Sequence, residues 1–177
     1  MKRKLSLTVV VLLVALGGAT GQTAQAEKKR EACTGTITAI QTYRQHVWYM
    51  QRVMGARLTY SARAERPHAC GFDRWIYRLW KGRAAKVRRA FTHPPHYAAW
   101  MCIHHYEGAW NDPKGPYYGG LQMDIAFQQA HGSRLLATKG TADHWTPLEQ
   151  IWVAEAAYDS GLGFGPWPNT ARYCGLI

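Results

Sequence analysis

Acidic residues are scarce in this 177-residue sequence: 11 Asp and Glu stand against 22 Lys and Arg, giving a net charge of +11. Beyond the N-terminus there is no apolar run long enough to span a bilayer, which excludes a multi-span membrane protein. The four cysteines form no C-x-x-C pair, the spacing that many zinc sites use. Internal repeats and low-complexity tracts are also absent, which excludes a repeat array.

The N-terminus has the pattern of a secretory signal peptide. Basic residues 2–4 precede an apolar stretch over 5–19, and an A-x-A pattern follows at 24–26. This pattern predicts cleavage before Glu27, and the apolar stretch is shorter than the ~20 residues of a membrane-spanning helix. We therefore expect residues 1–26 to be removed and the protein to be secreted or held at the cell wall, without stable membrane insertion. An uncleaved N-terminal anchor is the alternative.

Cysteine usage predicts disulfides and no metal centre. All four cysteines follow the predicted cleavage site, and an even number in an exported chain favours two disulfide bonds. The residues alone leave the pairing open among Cys33, Cys70, Cys102 and Cys174. His104 and His105 are adjacent, and adjacent helical side chains point about 100° apart, so they cannot readily share an ion. We expect neither a metal ion nor another cofactor.

Charge divides the chain into two regions. Residues 27–95 hold 15 Lys and Arg against 4 Asp and Glu, whereas residues 96–177 hold 4 against 7. Apolar spacing predicts helices over 34–54 and 72–91 in the basic region, and the Thr-His-Pro-Pro sequence at 92–95 predicts a break. We therefore expect a basic helical region followed by a separate domain.

Three interpretations fit the basic region. It is a solvated cationic face with ordinary core aromatics, a surface that attracts anionic wall polymers, or a nucleic-acid binder. Motifs that read nucleic-acid bases are absent, and an exported protein meets wall anions first, so we expect no nucleic acid as a partner. The first two interpretations both stay open.

The second region begins with a predicted helix over 97–107. Its apolar positions follow the i, i+3, i+4, i+7 spacing: Ala99, Cys102, Ile103 and Tyr106. Glu107 lies four residues after Ile103, which places its carboxylate beside the buried stripe. We expect that carboxylate to be partly desolvated.

The remaining turn and cap signals predict a short hairpin and two further helices. Turn residues bracket aromatic and apolar residues over 115–123, which indicates a small hairpin or an irregular loop. Asp124 is placed to cap a helix that ends at Gly132. The Thr-Pro-Leu-Glu sequence at 146–149 combines a capping box with Pro at the first helical position, and predicts a helix to Ser160.

Four blocks of sequence between residues 97 and 177 carry a family resemblance. They are Cys102 with Glu107-Gly108-Ala109-Trp110, Tyr117-Tyr118-Gly119-Gly120-Leu121-Gln122, Glu149 to Glu155, and Gly165-Pro166-Trp167-Pro168. Their order resembles the actinobacterial transglycosylase-like domain of the resuscitation-promoting factors. The resemblance implies a reduced, mainly α (α+β) lysozyme-like domain with a short hairpin, preceded here by the basic helical region. It also implies cleavage of the β-1,4 bond between N-acetylmuramic acid and N-acetylglucosamine in peptidoglycan glycan strands.

The resemblance assigns the catalytic role to Glu107, which matches the family's glutamate at the end of its first helix. Breaking a glycosidic bond requires a proton on the leaving oxygen, so this carboxyl must keep its proton well above the ordinary glutamate pKa of about 4.3. An apolar helix face favours the neutral form. Without the other blocks, a surface helix glutamate would be the simpler interpretation.

The family usually has a cysteine directly before this glutamate, whereas Tyr106 occupies that place here. The nearest cysteine, Cys102, lies five residues before the glutamate. The resemblance implies a bridge from Cys102 to the C-terminal Cys174, with altered local geometry. The second bridge then joins Cys33 to Cys70.

Five residues of the matching blocks are candidates for substrate binding. Gln122 can hydrogen-bond an N-acetyl or hydroxyl group of a sugar. The rings of Tyr118, Trp110 and Trp167 can stack on sugar faces, and each is equally consistent with core packing. Gly120, the second of paired glycines, lets the backbone approach a ligand, although paired glycines also simply make a turn.

A second catalytic carboxylate is not required by every mechanism. Asp112 and Asp124 are the candidates for it, but a turn before Pro113 and a helix cap explain them more simply. A lytic transglycosylase needs none, because the substrate's own C6 hydroxyl attacks and leaves a 1,6-anhydro end. Two other functions stay open: a non-catalytic wall-binding or signalling module, and a cationic antimicrobial protein acting through residues 27–95.

Overall fold

The computed structural model describes residues 19–65 and 73–177. The helices of this described chain are α1 (Ala19–Val53), α2 (Asp73–Phe91), α3 (Tyr97–Glu107), α4 (Ile125–Lys139), α5 (Pro147–Ala157) and α6 (Pro168–Tyr173). Strands β1 (Tyr117–Tyr118) and β2 (Met123–Asp124) pair in an antiparallel hairpin, with Tyr118 opposite Met123. The prediction of a mainly helical protein with a short hairpin is confirmed.

Helices α1 and α2 pack against each other around a small hydrophobic cluster. Its fully buried members come from both helices: Ile40, Val47, Ile76 and Trp80. α1 begins at Ala19, before the predicted start at Thr34, because residues 19–33 are rich in the helix-favouring Ala, Gln, Glu and Lys. The predicted cleavage site therefore lies within α1. No helix among the described residues combines the length and apolarity that crossing a membrane needs.

α3 spans the predicted residues and buries most of the predicted stripe. Ile103 is completely buried and Ala99 packs half-buried against the core, as predicted, together with the fully buried Trp100, whereas Tyr106, predicted to be buried, is 53% exposed. The prediction for Tyr106 was wrong because the stripe starts at the large Trp100 ring and continues at the i+3, i+4 and i+7 positions, the last of which is Glu107. Glu107 therefore lies on the buried stripe and not merely beside it.

α4 begins where predicted and consists of two helical segments that meet at a kink. Asp124 is its N-cap, and Oδ1 of Asp124 accepts a hydrogen bond from the Phe127 amide at 2.7 Å. Gly132 has non-helical backbone angles (φ −128°, ψ 22°), so the first segment ends there as predicted, and a second segment that was not predicted continues to Lys139. A Cβ on Gly132 would lie 2.7 Å from the Trp145 ring, so this glycine also permits close packing.

α5 begins with the predicted capping box. The Thr146 hydroxyl accepts from the Glu149 amide, and Glu149 Oε2 accepts from the Thr146 amide at 2.8 Å. The helix then passes into a π-helical turn over Tyr158–Leu162. Gly161, the predicted stop, has a φ of 99° in that turn and ends the regular structure.

A disulfide ties the C-terminal segment to α3. Cys102 of α3 bonds to Cys174, directly after α6, so that predicted bridge is confirmed. α6 itself was not predicted, because six residues are too few to show helical periodicity. The predicted bridge from Cys33 to Cys70 involves a residue outside the described ranges.

Side-chain contacts join the α1–α2 pair to the rest of the protein. Trp152 Nε1 in α5 donates to the carbonyl of Phe91 at the end of α2, at 2.8 Å. The Glu149 carboxylate is 2% exposed and is bonded by the Tyr49 hydroxyl of α1 and by Lys139 Nζ, which lies 2.6 and 2.9 Å from its two oxygens. Burial raises the pKa of Glu149, and the capping-box amide partly opposes that rise.

Candidate active site

Glu107 ends α3 half-buried, with its carboxylate against α6. Its Oε1 lies 2.8 Å from the hydroxyl of Thr170, which is itself only 8% exposed. The same hydroxyl lies 3.3 Å from the carbonyl oxygen of Trp167. A hydroxyl has one donor hydrogen and two acceptor lone pairs. Thr170 can therefore donate to an ionised Glu107, or accept from a protonated Glu107 while it donates to the carbonyl.

Gln122 and Asp112 lie next to the residue that follows Glu107. A Cβ on Gly108 would be 3.3 Å from Nε2 of Gln122 and 3.7 Å from Oδ2 of Asp112. Gln122 has a φ of 47°, a conformation that costs energy for a residue with a side chain and that often occurs at functional sites. The structure thus brings Gln122, a predicted binding residue, to the end of α3.

Both alternative carboxylates already have structural partners. Oδ1 of Asp112 accepts from the Lys114 amide at 3.1 Å, and the Asp112 carbonyl accepts from the Gly119 amide at 2.9 Å, so it is a turn residue as predicted. Its Oδ2 also lies 3.4 Å from Nε2 of Gln122. Asp124 is the cap of α4. Of the two, Asp112 is the one placed beside Gly108.

The paired glycines make room for protein side chains. A Cβ on Gly119 would lie 2.5 Å from Oε1 of Gln150, and a Cβ on Gly120 would lie 2.6 Å from the Trp110 ring. The Gly120 amide donates to Oε1 of Gln150 at 2.8 Å. Both glycines are buried, so tight internal packing, and not the predicted ligand approach, accounts for Gly120.

Gln150 is a central residue that the sequence analysis missed. It is completely buried, and its Nε2 donates at 2.8 Å to the carbonyls of both Trp110 and Ala142. Together with its bond to Gly120, these contacts hold the glycine turn, the Trp110 segment and the turn before α5 in one arrangement. The available signal was a polar residue among the apolar residues of α5, since a buried amide needs partners for all its polar atoms.

The three predicted stacking rings have different environments. Trp110 is half-buried and stacks on His104, with ring centroids 3.8 Å apart and planes at 23°. Tyr118 is half-buried and packs against the core. Trp167 is 5% exposed, and its Nε1 donates to the Leu121 carbonyl at 2.6 Å, so it belongs to the core and its faces are not open to a sugar. Its ring packs on Trp100 of α3 and Phe127 of α4, with ring centroids 5.0 and 5.4 Å apart, which is the core packing that the sequence left open for it.

Histidines are spread over the domain without converging. Within residues 19–65 and 73–177, no group of three or more His, Cys, Asp or Glu side chains could hold a metal ion. His104 Nδ1 lies 3.0 Å from the Gly120 carbonyl, and His96 pairs with the buried Glu155 at 2.9 Å. These two histidines have structural partners that account for them.

Comparison with known proteins gives no relative. No protein-family model, no curated protein and no solved structure matches the chain.

Proposed function

We propose that residues 96–177 form a reduced lysozyme-like domain that cleaves peptidoglycan glycan strands at the β-1,4 bond between N-acetylmuramic acid and N-acetylglucosamine. Glu107 is the general acid. The observation that supports this most strongly is the position of its carboxyl, which lies on the buried stripe of α3 with the Thr170 hydroxyl 2.8 Å away. A glutamate that only solvates the helix surface would not need a hydrogen-bond partner on a second helix.

The proton transfer is the central step of the proposed reaction. Glu107 donates its proton to the glycosidic oxygen as the bond from that oxygen to the anomeric carbon breaks. In the transglycosylase route, the C6 hydroxyl oxygen of the same sugar bonds to the anomeric carbon and its proton returns to Glu107. The products are then a free 4-hydroxyl and a 1,6-anhydro ring, and the acid is regenerated.

The contacts of Asp112 favour this single-acid route over hydrolysis. A hydrolase uses a second carboxylate to attack the anomeric carbon or to activate water. The Asp112 side chain already accepts from the Lys114 amide and lies within 3.4 Å of Gln122 Nε2, so both its oxygens are engaged. Hydrolysis through Asp112 is the second candidate reaction, and product analysis separates the two.

Gln122 and Trp110 are the proposed substrate contacts. Gln122 lies at the end of α3, where its amide can bond an N-acetyl group or hydroxyl next to the cleaved bond. Trp110 has a fixed orientation because its ring stacks on His104 and its carbonyl is bonded by Gln150. Rigid placement of such groups lowers the entropy lost when substrate binds.

The α1–α2 pair is proposed to attract the protein to anionic wall polymers. Its exposed basic side chains include Arg74, Arg78, Lys81, Lys86, Arg88 and Arg89. Within residues 27–65 and 74–95, the only ion pair of a basic side chain is that of Arg83 with Glu65. The exposed cations of α2 are therefore available to an external polyanion, and the expected contribution is electrostatic and sensitive to salt.

Incubation of the exported protein with purified peptidoglycan tests the proposal. Mass spectrometry of the soluble products should find muropeptides with 1,6-anhydro ends, and none with the Glu107→Gln variant. Binding to peptidoglycan without any product would indicate a non-catalytic wall module. If the Glu107→Gln variant still kills bacteria, and killing is lost when residues 27–95 are deleted, the protein is instead a cationic antimicrobial protein.

A further inference from the structure

Two tyrosines of different helices form an exposed pair beside Glu107. Tyr106 of α3 is 53% exposed and Tyr173 of α6 is 73% exposed. Their ring centroids lie 5.6 Å apart, with the planes tilted by 45°. Most aromatic rings of this size bury themselves in a core, and a paired exposed patch of them commonly marks a binding surface.

The position of the pair is fixed by the elements that carry it. Tyr106 directly precedes Glu107, so their Cα atoms are ~3.8 Å apart. Tyr173 follows Thr170 by about one helical turn in α6, and Thr170 contacts Glu107. The disulfide next to Tyr173 links α6 back to α3. The backbone of each tyrosine thus lies within one helical turn of Glu107 or of its partner Thr170, and the disulfide holds the two helices together.

We infer that Tyr106 and Tyr173 form a sugar-binding subsite that extends the active site along the glycan strand. This inference rests on the proposed function and names a further contact for its substrate. The apolar face of a sugar ring can stack on an exposed tyrosine, and the phenol hydroxyls can bond its hydroxyl or N-acetyl groups. A linear glycan is the occupant that the site favours, because a strand cut at Glu107 must continue over the neighbouring surface.

Binding of a soluble glycan to an inactive protein tests the subsite without turnover. The probe is a purified muropeptide tetrasaccharide, titrated by calorimetry into Glu107→Gln. Adding Tyr106→Ala and Tyr173→Ala is expected to weaken binding roughly tenfold, as loss of central aromatic contacts typically does. Phe at both positions keeps the stacking surface and should retain most of the affinity. Tyr60→Ala, an 80% exposed tyrosine of the segment between α1 and α2, is the matched control and should change nothing.

Steady-state kinetics of the active protein give a second readout. The Tyr106→Ala and Tyr173→Ala variants should raise KM and leave kcat close to that of the parent, since the subsite binds ground state and transition state alike. Equal melting temperatures of the Ala and Phe variants show that the effect is not unfolding. If the double Ala protein fails to fold, the two single Ala variants carry the test.

The outcomes separate this inference from the proposed function. If cleavage depends on Glu107 but the Tyr106→Ala and Tyr173→Ala variants bind the tetrasaccharide as tightly as the parent, the subsite is overturned and the proposed function is unaffected. Binding that depends on the tyrosines in a protein without cleavage would keep the subsite and remove the enzymatic function. Absence of glycan binding, or a tyrosine effect seen only with a protein partner, overturns the subsite.

Discussion

The hydroxyl of Thr170 lies 2.8 Å from Oε1 of Glu107, although the two residues are 63 positions apart in the sequence. The contact joins the end of α3 to α6, the same two elements that the Cys102–Cys174 disulfide connects. Because the hydroxyl can donate or accept, it can hold the Glu107 carboxyl in one orientation in both of its protonation states. That is the property a general acid needs from its nearest neighbour.

Glu107→Gln is expected to abolish cleavage and preserve the fold. The amide has nearly the same shape and can still bond Thr170, but it cannot deliver a proton to the leaving oxygen. General acid catalysis typically contributes about 10² to 10⁴ in rate, so release of soluble muropeptides should fall by that order. Asp112→Asn and Asp124→Asn are the controls, and should cost far less in the transglycosylase route. Near-normal turnover by a folded Glu107→Gln protein removes Glu107 from its role.

Thr170→Val is expected to lower the maximal rate of muropeptide release up to about tenfold, the equivalent of one hydrogen bond of about 1.4 kcal/mol. The substitution removes the hydroxyl that holds the Glu107 carboxyl in one orientation, while the side chain keeps nearly the same volume. Thr170→Ser keeps the hydroxyl and should restore most of the parent rate. A folded Val variant that releases muropeptides at the parent rate would show that Thr170 acts only in packing.

Replacing Cys102 and Cys174 by Ser should destabilise the protein by roughly 2–5 kcal/mol, because the bridge closes a long loop of the unfolded chain. The sequence separation of the two cysteines is 72 residues. Urea unfolding of the double variant measures the loss. Non-reducing peptide mapping is the companion measurement, and a peptide that links Cys33 to Cys102 would contradict both predicted bridges.

The buried Glu149 should make the stability depend on pH. Burial raises its pKa in the folded state, so the folded protein holds this proton more tightly than the unfolded chain does. The associated stability is fully present below the ordinary pKa of about 4.3 and is lost as pH rises through the folded value. The unfolding free energy of the parent, relative to Glu149→Gln, should therefore fall with rising pH. A rise instead would mean that the ion pair with Lys139 outweighs burial.

Neutralising exposed cations of α2 should weaken attachment to intact cell walls at low salt. Arg78→Gln, Arg88→Gln and Arg89→Gln remove three of them, and the difference from the parent should shrink as salt shortens the Debye length from about 10 Å at 0.1 M. Co-sedimentation with cell walls over a salt series measures the bound fraction of each protein. Lys114→Gln is the matched control in the C-terminal domain. If attachment changes neither with salt nor with the three substitutions, α2 is an ordinary solvated helix face and does not bind the wall.

Local signals determined where several helices begin. The Asp124 cap of α4 and the capping box of α5 both follow from residues within one turn of each other. Such features depend on backbone hydrogen bonds and side-chain oxygens that are near in sequence, so they can be predicted without knowing the rest of the fold. The choice of Glu107 rested instead on the family resemblance carried by the order of the surrounding blocks.

Tertiary packing decided which of these residues are buried and what they contact. Gln150 bonds the carbonyl of Trp110 from 40 positions away. Trp167 packs in the core, although the sequence was equally consistent with a sugar-stacking ring at that position. The buried side of α3 is centred on Trp100 and Ile103, which leaves Tyr106 exposed although its spacing placed it on the apolar stripe. Periodicity shows that a helix has an apolar side, but the side that is buried depends on the shape of the partner helix. The sequence thus determined the helix that ends at Glu107, whereas the hydroxyl partner of Glu107 and its exposed neighbours were decided by the approach of α6.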